Sequence, residues 1–250
     1  MGRSHQRTLP PPQLKRVWLD EKAIFGSGVY PYSLPLFKDG AFEVEFDRPV
    51  TIIAGENGVG KSTLLEGIAV LAGFDESGGG PGYQAIDNSR AIETGGGGLA
   101  RSLKASWLPK IGRGWFFRAE SFFSVARYLD EAGSPSADFL SHSHGEGFIR
   151  FFEERCTKPG IFKFDEPESA LSPKRQFDFL KLLNRMEAGN QSQVIIVTHS
   201  PIIMGHPGAR LLRMSRCGLE PTALQDTEHF RIMRQFADDP HGMIEARQRT

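Results

Sequence analysis

A glycine-rich run that ends in lysine and serine has the residue types and spacing of a phosphate-binding loop. Its residues fit G-x-x-x-x-G-K-[ST] and are Gly55, Glu56, Asn57, Gly58, Val59, Gly60, Lys61 and Ser62, followed by Thr63. The glycines allow the backbone to wrap around a polyphosphate, so that successive N–H groups point at its oxygens. Lys61 would add positive charge at the β- and γ-phosphates, and the Ser62 hydroxyl would ligate Mg²⁺. The run therefore predicts a site for a nucleoside triphosphate with magnesium.

Two adjacent carboxylates, Asp165 and Glu166, follow the apolar segment Gly160 to Phe164. A parallel sheet delivers residues at the ends of its strands to the ligand crevice. Asp165 then suits the magnesium shell, and Glu166 suits a general base or a group that positions water. Taken alone, such a pair is more often a solvated turn, but its place behind the glycine-rich run favours the catalytic interpretation.

A histidine ends another apolar segment, Gln193 to Thr198. At that point His199 can hydrogen-bond a γ-phosphate and a lytic water. An ordinary capped histidine is the commoner interpretation of one such residue. Combined with the two preceding motifs, the pattern favours a residue that contacts the γ-phosphate.

Strands and helices alternate along the chain that must position these groups. Period-two alternation predicts a strand with one wet face at Ala41 to Phe46, and a continuous apolar run predicts a strand covered on both faces at Val50 to Ala54. Further strands are predicted at Arg16 to Leu19, Trp115 to Phe117, Gly160 to Phe164 and Gln193 to Thr198, and helices at Leu64 to Ala72, Ala119 to Leu129, Phe148 to Arg155, Pro173 to Met186 and Thr227 to Ala237. The order favours an α/β fold with a parallel sheet and crossover helices.

The chain is expected to form one domain, residues 1–250. We expect a loose basic arm at 1–13, a Gly-rich insertion at 73–113 that begins as a long surface segment, and a helical subregion at 114–158. Thirty Lys and Arg residues balance thirty Asp and Glu residues, so the net charge gives no support to a nucleic-acid or membrane partner. Two cysteines and the lack of a signal or spanning segment predict a cytoplasmic protein.

Together, the glycine-rich run, Asp165-Glu166-Pro167 and Thr198-His199-Ser200 resemble the ATPase core of the ABC superfamily over roughly residues 14 to 236. More narrowly, Gly-Glu-Asn-Gly and Asp-Glu-Pro-Glu, followed by Leu171-Ser172-Pro173, resemble the stand-alone ATPases related to OLD-family and RecF-like proteins. The resemblance implies an ABC-type P-loop fold: a mainly parallel central sheet flanked by helices, an antiparallel β piece at the N-terminal side and a helical subregion. It also implies ATP and Mg²⁺ as ligands.

The same resemblance implies that ATP lies between two head-to-tail protomers, each completing the other's site with a signature loop. Ser143 to Gly147 is the candidate loop, and Ser143 and Gly145 would contact phosphate. A polar turn or a two-histidine metal site are the alternatives for this segment. Glu120 is the nearest candidate for the lid residue that is normally glutamine, although a helix-capping acid is an alternative.

Several positions depart from the family pattern. His144 stands where transporters usually have glycine, and Ser172 replaces the common aspartate. Lys163 interrupts a strand that should be apolar on both faces, so it must be paired or lie at a layer boundary. No residue could be assigned to adenine stacking.

The leading functional hypothesis is a magnesium-dependent ATPase that dimerises on ATP and drives a separate effector chain. The 102 residues between Ser62 and Asp165 leave no room for long coiled-coil arms, and the 51 residues after His199 leave none for a nuclease domain. One alternative is a slow-turnover nucleotide sensor, which a measurement of turnover at saturating MgATP would distinguish from an ATPase. A second alternative is a transporter subunit, against which the loop signatures argue. DNA repair or defence rests on family analogy alone.

Overall fold

The computed structural model describes residues 9–24, 28–38, 42–82, 96–119 and 144–248. Within them, the strands are β1 (Leu14–Leu19), β2 (Glu43–Glu45), β3 (Val50–Ala54), β4 (Leu103–Trp107), β5 (Gly114–Arg118), β6 (Ile161–Asp165), β7 (Gln193–Val197), β8 (Arg210–Ser215) and β9 (Gly218–Pro221). They form a six-stranded sheet in the order β5-β6-β7-β3-β8-β9 and a three-stranded sheet in the order β2-β1-β4.

The six-stranded sheet is parallel except at one edge. β3 pairs in parallel with β7 on one side and with β8 on the other, whereas β9 is antiparallel to β8. The smaller sheet is antiparallel throughout. The predicted α/β class, with a mainly parallel sheet and an N-terminal antiparallel piece, is confirmed.

Helices connect the strands in the described residues. They are α1 (Pro35–Lys38), α2 (Lys61–Leu71), α3 (Gly96–Ala100), α4 (His144–Arg155), α5 (Pro173–Ala188), α6 (Pro201–Met204), α7 (Glu228–Asp238) and α8 (Pro240–Gln248), with 3-10 turns at Glu21–Ala23, Pro167–Ala170 and Leu224–Asp226. Ser172 begins α5 as its N-cap, accepting a hydrogen bond from the Arg175 amide, and Pro173 occupies the first turn. No described helix combines the length and the apolarity that crossing a membrane requires.

Each face of the six-stranded sheet has its own apolar core. In β6, Phe162 and Phe164 belong to the core that also contains residues of α4 and α5, whereas Ile161 belongs to the core shared with α2 and the smaller sheet. Phe164 stacks on Phe117 with ring centroids 4.5 Å apart and meets Phe179 edge-on. This double burial explains why the strands are apolar runs without alternation.

Lys163, which the sequence predicts to be paired or at a layer boundary, lies in the interior of the protein. The residue is fully buried, and its Nζ lies 3.1 Å from the centre of the Phe74 ring, with no hydrogen-bond partner among the described residues. Burial lowers the pKa of this amine well below its ordinary value. Lys163 is therefore paired with an aromatic ring inside a core and does not lie at a layer boundary.

Part of the segment predicted as a Gly-rich insertion, 73–113, forms regular secondary structure. Residues 96–107 contain α3 and β4, and β4 pairs with β1 in the smaller sheet. Gly79 also exchanges backbone hydrogen bonds with Phe116 of β5. Glycine is needed here for close packing, because a Cβ on Gly96 would lie 2.2 Å from the Glu66 side chain. The predicted helix at Ala119 to Leu129 falls almost wholly outside the described residues.

Candidate functional site

The glycine-rich loop connects β3 to α2, as the sequence predicts. β3 is buried along its whole length, so the loop leaves the sheet at a fixed point. Gly60 has a left-handed backbone (φ 98°) just before the first residue of α2, where a residue with a side chain would be strained. A Cβ at Gly55 would lie 2.4 Å from the Met214 carbonyl oxygen. The glycines therefore permit both the turn and the close approach of β8, and the first amides of α2 remain available for an anion.

Lys61 lies against this loop. Its Nζ donates a hydrogen bond of 2.9 Å to the Glu56 carbonyl oxygen, and the residue is 5% exposed. Burial lowers the pKa of the Lys61 amine, while Glu166 and Asp165 act in the opposite direction. Among the described residues, no ion pair is found for this ammonium, which makes it a suitable contact for a phosphate oxygen.

Ser62 and Asp165 meet in space although they are far apart in sequence. The Ser62 hydroxyl donates a hydrogen bond of 3.0 Å to Asp165 Oδ1. Burial raises the pKa of the Asp165 carboxyl to about 7, against the lowering effects of Arg118 and of the Ser62 hydrogen bond. A hydroxyl and a carboxylate oxygen are the hard donors that Mg²⁺ prefers, and Mg²⁺ typically uses only one or two carboxylates. The pair therefore fits a magnesium ion.

Glu166 follows Asp165 in an unusual backbone conformation. Its φ of 47° lies in the left-handed region, which is uncommon for a residue with a side chain and occurs often at active sites. Glu166 Oε1 lies 3.2 Å from His199 Nε2, and this contact lowers the pKa of the Glu166 carboxyl. The carboxylate is thus ionised at neutral pH, as a general base must be.

His199 is held at its backbone and at its ring. Glu168 Oε1 accepts a hydrogen bond from the His199 amide at 2.5 Å, and burial raises the pKa of the Glu168 carboxyl. His199 Nδ1 lies 2.9 Å from His229 Nε2, a contact from α7. His229 was not found from the sequence, because a single histidine in the first turn of a helix has no distinguishing spacing.

A buried arginine lies beside Asp165. Arg118 Nη1 is 2.9 Å from Glu66 Oε1, and Arg118 Nε is 3.7 Å from Asp165 Oδ2. Glu66 also accepts a hydrogen bond from the Gly96 amide. Arg118 was missed from the sequence, since only its neighbour Glu120 was considered for the lid. Glu120 itself lies outside the described residues.

The signature-loop prediction falls at the edge of the described structure. Ser143 lies outside it, and the backbone of His144 and Gly145 forms the start of α4. Glu146 of the same turn pairs with Arg175 in α5. The contacts of Ser143 and Gly145 with phosphate therefore stay predictions.

An exposed tyrosine adjoins the loop. The Tyr30 hydroxyl shares a hydrogen bond of 2.7 Å with Thr63 Oγ1, and half of the Tyr30 residue remains exposed. An aromatic ring anchored one residue beyond Ser62 is suited to stacking on a nucleotide base. Tyr30 was not found from the sequence because 24 residues and two strands separate it from the loop.

An open cleft of about 640 Å³ adjoins the loop, between β8 and α7. Its lining includes both signs of charge: Arg213, Arg216, Arg231 and Arg247 together with Glu56, Asp226 and Glu228. Arg231 pairs with Asp226 at 3.4 Å. The lining of this cleft is therefore not uniformly basic.

Two family models match the two segments of the chain that carry the residues of this site. Residues 32–104, which include the loop, match a family model described as "AAA domain". Residues 135–205, which include Asp165, Glu166 and His199, match one described as "AAA domain, putative AbiEii toxin, Type IV TA system". Each match covers less than a third of the chain, and together they include the loop and the ends of β6 and β7. At this site the chain is therefore similar to AAA-type ATPase domains.

Solved structures similar to this chain include an ATP-binding cassette of an ABC transporter, at 17% identity and a TM-score of 0.48 over 89% of this chain and 99% of that one. They also include a bacterial Atm1-family ABC exporter with ATP bound, at 17% identity and a TM-score of 0.47 over 98% of this chain and 44% of that one. The search of curated proteins found no match. The family matches therefore concern the two segments that carry the site residues.

Proposed function

We propose that the chain hydrolyses ATP with Mg²⁺ at a site shared by two head-to-tail copies, and that closing and opening of this dimer drives a separate effector chain. The observation that carries the proposal is the hydrogen bond between Ser62 and Asp165. This contact brings the end of β6, and with it Glu166, beside the phosphate-binding loop. A glycine-rich loop by itself indicates only that a phosphate compound is bound, whereas a carboxylate base next to the loop points to hydrolysis.

Each residue has a defined task in this mechanism. Lys61 and the first amides of α2 would bind and orient the phosphates, and Ser62 and Asp165 would hold magnesium, whose charge would neutralise phosphate oxygens. Glu166 would accept the proton of the attacking water. His199 would donate a hydrogen bond to the γ-phosphate from Nε2, the ring nitrogen that faces Glu166. Tyr30 would stack on the base.

Glu166→Gln tests the chemical step. The amide keeps the size of the side chain but loses the basic oxygen, so turnover should fall by about a hundredfold or more while ATP still binds. ATP-bound dimers of this variant should accumulate on size exclusion. Glu43→Gln is a matched control, because Glu43 is exposed on β2 and pairs with Arg16 away from the loop. Undiminished turnover in Glu166→Gln would exclude this base and direct attention to Glu168.

Mixing two inactive variants tests the shared site. Lys61→Ala removes the phosphate contact of one protomer, and Ser143→Arg should block the signature loop that reaches the other. In a mixed dimer one site carries both changes and the other carries neither. With free exchange and independent sites, half of the dimers are mixed, so about a quarter of wild-type activity should return. Full activity of Ser143→Arg alone would show that the signature assignment is wrong.

A role in defence or DNA repair extends this proposal. It is supported by the family description for residues 135–205, which names a type IV toxin–antitoxin system, and by the Asp-Glu-Pro-Glu motif shared with OLD-like proteins. The effector would be a separate protein recognised by the closed dimer. Affinity purification of Glu166→Gln with ATP should retain this protein, whereas Lys61→Ala under the same conditions should lose it. Equal recovery by both variants would contradict ATP-dependent coupling.

A further inference from the structure

We propose that His229 is a positioning residue of the ATPase site: it donates a hydrogen bond from its Nε2 to Nδ1 of His199 and thereby keeps the His199 proton on Nε2. The inference rests on the proposed role of His199 as a γ-phosphate donor. It adds a residue from α7, 30 positions further along the chain, to the hydrolysis step.

The geometry assigns a partner to each ring nitrogen of His199. Nε2 lies 3.2 Å from Glu166 Oε1, and Nδ1 lies 2.9 Å from His229 Nε2. The two imidazole centres are 5.0 Å apart and their planes are inclined by 58°. The contact between Nε2 and Glu166 has ion-pair distance without the geometry of a hydrogen bond. A carboxylate oxygen can only accept, so its negative charge favours a proton on the His199 nitrogen nearest to it. In a neutral His199, Nδ1 is then an acceptor, and His229 Nε2 must donate to it.

His229 itself is held in place by the start of α7. Thr227 caps the helix: its hydroxyl donates to the Leu224 carbonyl oxygen at 2.7 Å and accepts from the Phe230 amide at 3.4 Å. Thr227 is 2% exposed, so this turn is firmly packed. Burial, with the neighbouring His199, lowers the pKa of His229, which favours the neutral form on the α7 side of the pair.

Contacts at the His199 backbone amide and at Nδ1 leave Nε2 as the ring nitrogen available to a ligand. Glu168 fixes its backbone amide and His229 fixes the far side of its ring. Nε2 is then the ring nitrogen nearest to Glu166, the residue that the proposed function assigns to the attacking water. Without His229 the ring could rotate or carry its proton on Nδ1, and the donor for the γ-phosphate would be absent for part of the time.

Two substitutions at one position test this role by kinetics. His229→Leu removes the donor, and His229→Gln places an amide nitrogen at about the reach of the imidazole Nε2. We expect kcat to fall about tenfold or more in His229→Leu, by analogy with outer-shell partners of functional histidines. The dissociation constant for ADP should stay within about twofold, and His229→Gln should recover most of the rate. His241→Leu, an exposed histidine of α8, is the matched control and should behave as wild type.

Two kinetic results would overturn the proposal. One is wild-type kcat in His229→Leu, and the other is an equal loss in the Leu and Gln variants. A loss of ADP binding in step with kcat would likewise indicate a merely structural role.

The ¹⁵N resonances of the imidazole rings give a test that does not depend on hydrolysis. In nucleotide-free wild-type protein at pH 8, His199 should carry its proton on Nε2, and His229→Gln should keep this form. An Nδ1-protonated or doubly protonated His199 would overturn the proposal. If wild-type protein shows no turnover at all, the proposed ATPase function fails, while the ring spectra still decide whether His229 sets the His199 tautomer.

Discussion

Asp165 should destabilise the nucleotide-free protein at neutral and alkaline pH, and Asp165→Asn should remove this effect. The carboxyl is 7% exposed and its closest cation, Arg118, lies 3.7 Å away and also pairs with Glu66. Burial raises its pKa from 3.8 to about 7. Asparagine keeps the oxygen that accepts from Ser62 and carries no charge, so it isolates the contribution of the charge.

The sign and size follow from linkage. Between pH 3.8 and 7 the folded state binds a proton that the unfolded state has released, so the free energy of unfolding falls as pH rises through this window. At about 1.4 kcal/mol for each pKa unit, the full effect is about 4 kcal/mol. Roughly 2 to 3 kcal/mol of it should develop between pH 5 and pH 8. For a chain of this length, that corresponds to a Tm difference of roughly 5 to 10 °C.

Thermal unfolding in EDTA without nucleotide measures the effect. The Tm advantage of Asp165→Asn over wild type should increase steadily from pH 5 to pH 8. Glu166→Gln is the control of opposite sign: His199 lowers the Glu166 pKa, so the charge stabilises the fold above pH 4.5 and its loss should cost a nearly constant amount in this window. A Tm difference for Asp165→Asn that is flat, or that shrinks with rising pH, would refute the buried-carboxylate argument.

Three further changes address nucleotide contacts. Lys61→Ala should fold normally but lose most of the ATP-induced Tm increase, which for wild type corresponds to about 2.7 kcal/mol at a hundredfold excess over Kd; equal shifts in both proteins would contradict the loop assignment. His199→Ala should slow hydrolysis and leave the ADP dissociation constant nearly unchanged, and a parallel loss of ADP binding would instead indicate a structural histidine. Tyr30→Ala should weaken ATP and ADP equally, by about tenfold as expected for a lost stacking contact, whereas Tyr30→Phe should retain most of the affinity; unchanged binding in the Ala variant would place the base elsewhere.

The parts of the site that the sequence predicts are those carried by local patterns. Continuous apolar runs predict β3, β6 and β7, because a strand buried on both faces needs no polar residues. Residues that follow such strands come together at one sheet edge, which is why Asp165 and His199 could be placed near the loop. The strand boundaries differ from the prediction by about one or two residues.

The remaining contacts could not be predicted because they depend on long-range packing. β4 lies in a glycine-rich stretch and is fixed by pairing with β1, not by its own composition. Arg118 meets Glu66 across 52 positions, and His229 meets His199 only because α7 returns to the end of β7. None of these pairs leaves a spacing that a single sequence could reveal.

The charges of the site suggest how binding and folding are connected. Burial shifts the pKa of Lys61 down and that of Asp165 up, so each group is held in an environment that disfavours its charged form. Glu166 adds a backbone conformation that costs free energy of its own. A phosphate beside Lys61 and a cation beside Asp165 would supply the missing opposite charges. The ligand-free protein would therefore be less stable because of these buried charges. Ligand binding would restore that stability, and it would do so through side chains that are already in position.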